Sequence, residues 1–165
     1  MNILRTVFSN GFMLLVPVFI WNILFTRKLP LPYGSPEFDS AVPRMLLVLE
    51  TVFRGLVFTL PLALSFDISP GRYRFGFYAY LAGILVYFAS WLPLILIPGS
   101  AWSRSLIGFT APAYAPLIWL AGMALMFRSW YFATGYASWQ YLVPAGLFTV
   151  FHFAHTALSF TRLLK

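Results

Sequence analysis

Long apolar runs alternate with short polar punctuation along the whole chain, and five of the runs have the length of membrane-crossing helices. They cover about 6–26, 41–66, 75–97, 111–132 and 141–163, each close to the roughly 20 apolar residues that span about 30 Å of hydrocarbon. The segment 27–42 holds Pro30, Pro32, Gly34 and Pro36, which is turn and extended chemistry. Asp67 to Gly71 reads as a turn, and Pro98-Gly99 closes the third run. Residues 100–110, with Trp102 and Arg104, read as an interfacial segment. Within the runs, Pro17 predicts a mid-span kink, Ser40 an N-cap with Pro43 in the first turn behind it, and Pro61 a Val57 carbonyl deprived of its helical donor. Pro112 and Pro116 crowd the start of the fourth run, which is short unless Ser129 to Phe132 prolong it. The pattern predicts an all-α, polytopic integral membrane protein, a compact bundle of five transmembrane helices in one domain over 1–165. No internal repeat is visible, which argues against an inverted-repeat transporter.

Composition supports that class. The 165 residues are 61% hydrophobic and 9% charged, with mean hydropathy +0.82, against about 25% charged residues in a soluble domain. Cysteine is absent, which excludes disulfides, thiolate metal sites and thiol nucleophiles. Eleven Lys and Arg against four acids give a net charge of +7. The basic residues fall one or two to a loop rather than in a stripe, which fits lipid headgroups and not nucleic acid. Arg27, Lys28, Arg44, Arg104, Arg162 and Lys165 fall on one side of five spans, and Arg5, Arg72, Arg74 and Arg128 on the other. The positive-inside rule then predicts a plasma (inner) membrane protein with its N-terminus outside and its C-terminus cytoplasmic. The first run is too long for a signal-peptide core and lacks a small-x-small cleavage site, so it reads as a retained span. Tyr73, Trp102, Trp130, Tyr131, Tyr136, Trp139 and Tyr141 crowd the predicted boundaries and read as headgroup-level belts.

The chemistry concentrates in three runs. Glu50 and Arg54 stand four residues apart inside the second run, where an ionisable group is costly unless it pairs or faces a polar cavity. In the fifth run Thr149, His152, Thr156 and Ser159 recur at helical spacing with His155 beside them. The face with Leu147, Phe151, Ala154 and Leu158 is apolar. The third run offers Gly76, Tyr80, Gly83, Tyr87 and Ser90, small residues for close packing interleaved with hydroxyl donors. Asn10, Gly11 and Asn22 belong to the first run. A rise of 1.5 Å per residue puts Glu50 about 9 Å and Arg54 about 15 Å beyond Arg44, and His155 about 10 Å and His152 about 15 Å beyond Arg162. Glu50 and His155 therefore share one level, Arg54 and His152 the next, with Tyr87 near the deeper one.

Glu50, Arg54, Tyr80, Tyr87, His152 and His155 thus form a candidate polar pocket in the middle of the bilayer. Its preferred occupant is a small anionic or amphipathic ligand held by Arg54, since a guanidinium carries a permanent charge and a planar fork of donors. One alternative is an intramembrane enzyme in which His152 and His155 work with Glu50 and Arg54, with or without a metal. The other is a membrane subunit whose polar residues only hold its helices together. No cofactor and no resident metal are expected; the expected partners are the lipid bilayer, the ligand and a second copy of the chain. In size, span number and aromatic richness the chain resembles the translocator-protein family. That family's tryptophan- and proline-rich signature is not matched in the first linker or in the second and third spans, so no residue roles carry over.

Overall fold

A computed structural model of the protein describes residues 8–132 and 135–163 and is mostly helical. Four helices are long and apolar enough to cross a membrane: Gly11–Lys28 (α1), Arg44–Ala63 (α3), Arg72–Leu96 (α4) and Trp139–Leu163 (α7). Between them lie the short helices Pro36–Ser40 (α2) and Leu106–Phe109 (α5), and Ala111–Met126 (α6), which is apolar but shorter than the four. The expected start of the first span at Thr6, together with Arg5 and Lys165 of the charge count, lies outside the described residues.

The fourth predicted span departs most from expectation. Its helix stops at Met126, and Phe127–Trp130 becomes a strand (β2) paired antiparallel with Leu64–Phe66 (β1) in the register Leu64↔Trp130, Ser65↔Ser129 and Phe66↔Phe127. The second span is correspondingly shorter than predicted. Pro61 removes a helical donor, so α3 is α-helical only to Thr59, tightens into a 3-10 turn over Leu60–Ala63 and then runs out extended. Two short apolar runs could continue as helix or turn into strand, and periodicity alone does not separate those outcomes. Backbone bonds lace this end of the bundle: Phe66 N–H to Ser9 O at 2.9 Å, Asp67 N–H to Met126 O at 3.0 Å and Tyr131 N–H to Ala63 O at 3.0 Å. The Asn10 side-chain amide adds a bond to Leu62 O at 2.9 Å.

Three smaller expectations change. Pro17 marks the junction where a 3-10 turn, Gly11–Leu15, passes into the α-helix beginning at Val16, rather than a mid-span kink. Ser40 closes α2, its hydroxyl donating to Glu37 O, and extended Pro43 takes the cap position of α3. Tyr136 and Tyr141 are buried instead of lying in a belt: their hydroxyls donate to Ala124 O at 3.0 Å and Val57 O at 3.1 Å. The Val57 carbonyl freed by Pro61 is therefore taken by Tyr141 and does not open toward a cavity.

Two helix pairs organise the interior. On α4, a Cβ added at Gly83 would lie 2.4 Å from the Trp119 amide nitrogen, and one at Gly122 of α6 would lie 2.4 Å from that of Tyr80. The backbones approach closely because these positions carry no side chain. Tyr80, Ile84, Tyr87 and Trp91 fill this core together with Trp119, Leu120 and Met123. The second pair is α3 with α7, where the α-helical part of α3 buries only Glu50 and Val57. Outward faces are apolar: Ile23, Met45, Val48, Leu85, Leu96 and Val150 are all exposed.

Candidate functional site

Glu50 sits on the inner seam of α3, 2% exposed, where the polar stripe of α7 meets it. One carboxylate oxygen, Oε1, lies 2.9 Å from His152 Nδ1 and also accepts from the Arg54 guanidinium. The other, Oε2, lies 2.5 Å from His155 Nδ1. The two histidines are three residues apart on α7, so both reach the same side chain from one helix face. A single carboxylate thus ties α3 to α7 through both its oxygens. Depth alone sets Glu50 level with His155; in the fold it also reaches His152, nearly one turn deeper.

The cluster continues outward. His155 Nε2 faces Phe38 O and Asp39 Oδ1, both at 3.4 Å, and Ser159 donates to the same Phe38 carbonyl at 2.8 Å. Arg162 donates to Ala41 O at 2.6 Å. These bonds dock α2 against α7 and carry the chain of polar contacts from buried Glu50 to the exposed carboxylate of Asp39.

On its inner side the cluster borders a cavity of about 280 Å³. The cavity lies in the half of the bundle nearest residues 27–43, which contribute Leu29 and Tyr33 to its wall. Arg54, His152, Asn22, Thr26 and Thr156 provide polar groups, while Phe58, Phe148, Trp91 and Trp119 provide aromatic surface. Most of the hydroxyls are committed elsewhere. Thr26 donates to Asn22 O, Thr156 to His152 O, and Tyr87 to Asn22 Oδ1 at 2.8 Å. Tyr33 donates to Phe109 O, and burial pushes its hydroxyl pKa up, so it stays neutral. What remains is a set of donors. The indole N–H of Trp119 is buried without a hydrogen-bond partner, while the Trp91 indole sits against the Tyr87 ring and hydroxyl. The amide N–H groups of Asn22 are uncommitted because its oxygen serves Tyr87, and Arg54 keeps donors beyond the one given to Glu50. Among the described residues neither Glu50 nor any other carboxylate lines the cavity.

Of the six residues the sequence singled out, the fold brings Glu50, Arg54, His152 and His155 into one connected cluster. Tyr87 joins the cavity wall without touching the carboxylate. Tyr80 stands apart, its hydroxyl donating to Leu14 O at 2.6 Å as a tie between α4 and α1. Sequence reasoning missed Asp39, hidden in a linker read only as turns, and Trp91 and Trp119, which carry no polar signal within an apolar run. Asn22 was noticed only as an isolated polar residue near a span end. For the metal-dependent alternative, both histidines direct Nδ1 at carboxylate oxygens at hydrogen-bonding distance. Among the described residues no group of three or more His, Asp or Glu side chains is arranged to hold a metal ion.

No family model matches the chain, and neither a curated protein nor a solved structure matches it.

Proposed function

We propose that the protein is a multi-pass protein of the plasma membrane, N-terminus outside and C-terminus cytoplasmic, whose cavity binds or passes a small anionic or amphipathic ligand. Four helices of spanning length with exposed apolar outer faces support the membrane reading. The observation that carries the ligand reading is the composition of the cavity wall. Its polar groups are the Arg54 guanidinium, the Asn22 amide, the His152 imidazole and hydroxyls bonded elsewhere, with no carboxylate among the described residues, and the rest of the wall is aromatic and aliphatic. Buried donors without partners are costly, and an acceptor-rich head with an apolar body would satisfy donors and wall together. Arg54 would contact the anionic head, with Glu50 fixing its rotamer from behind. The cavity of one copy serves binding or sensing, and passage across the membrane calls for a homo-oligomer.

The test uses octanesulfonate, which stays anionic at any working pH, against octanol as a neutral control. Wild-type protein in mild detergent is expected to bind octanesulfonate, with Arg54→Met weakening it at least tenfold and leaving octanol binding unchanged. If Arg54→Met instead unfolds the protein and Glu50→Leu added to it restores the fold, the pair is structural glue and the ligand reading is lost.

A further inference from the structure

The polar cluster does more than brace Arg54. In the series His152, Glu50, His155 and Asp39, the two middle members use different atoms for their two neighbours. His152 gives Nδ1 to Glu50 Oε1, which leaves Nε2 for the cavity it lines. Glu50 gives Oε2 to His155 Nδ1. His155 Nε2 meets Asp39 Oδ1, whose side chain is 69% exposed. The series is therefore continuous from cavity wall to protein surface. Both ring nitrogens of His155 also face acceptors: a carboxylate on one side, a carbonyl and a second carboxylate on the other. Its hydrogen bonds are complete only with a proton on each nitrogen, or with the Glu50 carboxyl protonated and donating to Nδ1.

We infer that these four side chains form a proton-holding chain between cavity and surface, and that an anion binds in the cavity together with one proton taken up by that chain. The inference rests on the reading of the cavity as an anion site. Arg54 and Glu50 cancel each other's charge, so with neutral histidines an incoming anion leaves the interior with one uncompensated negative charge. Histidine is the side chain whose charge changes nearest physiological pH, and one proton from water, added as an N–H or O–H bond within the chain, restores neutrality. The other titratable and charged groups around the cluster are committed or remote from its centre. On α7, Arg162 is held at Ala41 O; on α2, Glu37 is exposed; from α4, the Tyr87 hydroxyl is bound to Asn22; Tyr33 is bound to Phe109 O.

Calorimetric titration of octanesulfonate in buffers of different ionisation enthalpy counts the protons taken up per anion bound, and every proton counted belongs to the protein. Wild type is expected to take up close to one proton near neutral pH, with affinity falling up to tenfold per pH unit as the chain loses that proton. His155→Gln keeps a donor toward Glu50 but cannot carry the charge, so its proton count should drop below half and its pH profile flatten. Asp39→Asn, at the exposed end where folding is not at risk, should shift the profile to lower pH. Binding with no proton uptake in wild type, or a profile unmoved by both substitutions, overturns the inference and leaves the anion site standing. No binding of octanesulfonate by wild type overturns both.

Discussion

The two helix pairs of this molecule are built on opposite principles. Between α4 and α6 nothing polar is exchanged; Gly76, Gly83 and Gly122 let backbone meet backbone, and aromatic side chains fill what remains. Between α3 and α7 aromatic pairs such as Phe53 with Phe151 are joined by polar bonds at both buried positions in the α-helical part of α3. Glu50 takes two histidines, and the Val57 carbonyl takes the Tyr141 hydroxyl. Packing of the first kind tolerates almost no added volume. Packing of the second kind tolerates volume but depends on each partner being present. The fold thus keeps a tight wall on one side and an adjustable, hydrogen-bonded seam on the other, and the cavity lies against that seam.

Substitutions can separate the two. The largest loss is expected at Gly83, where a side chain must enter space already held by the Trp119 backbone. Gly83→Leu should cost about 3 kcal/mol or more, the upper end of overpacking effects, read as a collapse of the detergent-solubilised thermal transition. Next comes Glu50→Leu, which leaves Arg54 and both histidines without their acceptor. Removing one partner of a buried pair costs about 3–5 kcal/mol, but Arg54 is 46% exposed and solvent lowers the figure toward about 2 kcal/mol. Adding Arg54→Met should recover part of it in chemical denaturation. Tyr141→Phe deletes one hydroxyl and strands the Val57 carbonyl, for a loss of about 1–2 kcal/mol by the same measurement. At the small end, a Cβ at Gly55 meets nothing within 4 Å, so Gly55→Ala should raise stability by about 0.5–1 kcal/mol. A melting temperature lowered by Gly55→Ala would mean that the outer face of α3 packs against something, a second copy included.

Much of this contrast is legible in the sequence. The glycine and tyrosine spacing of the third run announced a face for close packing, and buried charge in the second run marked where polar partners had to be found. Counting residues inward from Arg44 and Arg162 put Glu50 and the histidines in one slab, because helix rise is fixed and both anchors lie at the same end. Lateral order was not legible, since depth says nothing about which helix is neighbour to which. Nor was the strand pair: Leu64–Phe66 and Phe127–Trp130 look like the tails of apolar helices until their backbone partners are known. Asp39 was lost for a related reason, because a five-residue helix in a proline-rich linker leaves almost no periodic signal.

That strand pair has a mechanical consequence. It fastens the ends of α3 and α6 to each other and, through Ser9 and Asn10, fastens the beginning of α1 as well. Further along, α1 is held by separate side-chain contacts: the stack of Trp21 on Phe88, the Tyr87 bond to Asn22 and a single buried residue, Val18, in its α-helical part. A rod clamped through its backbone at one end and held by side chains along the rest keeps its register at the clamp and depends on side-chain fit elsewhere; Asn22 and Thr26, where α1 forms the wall of the cavity, belong to the second part.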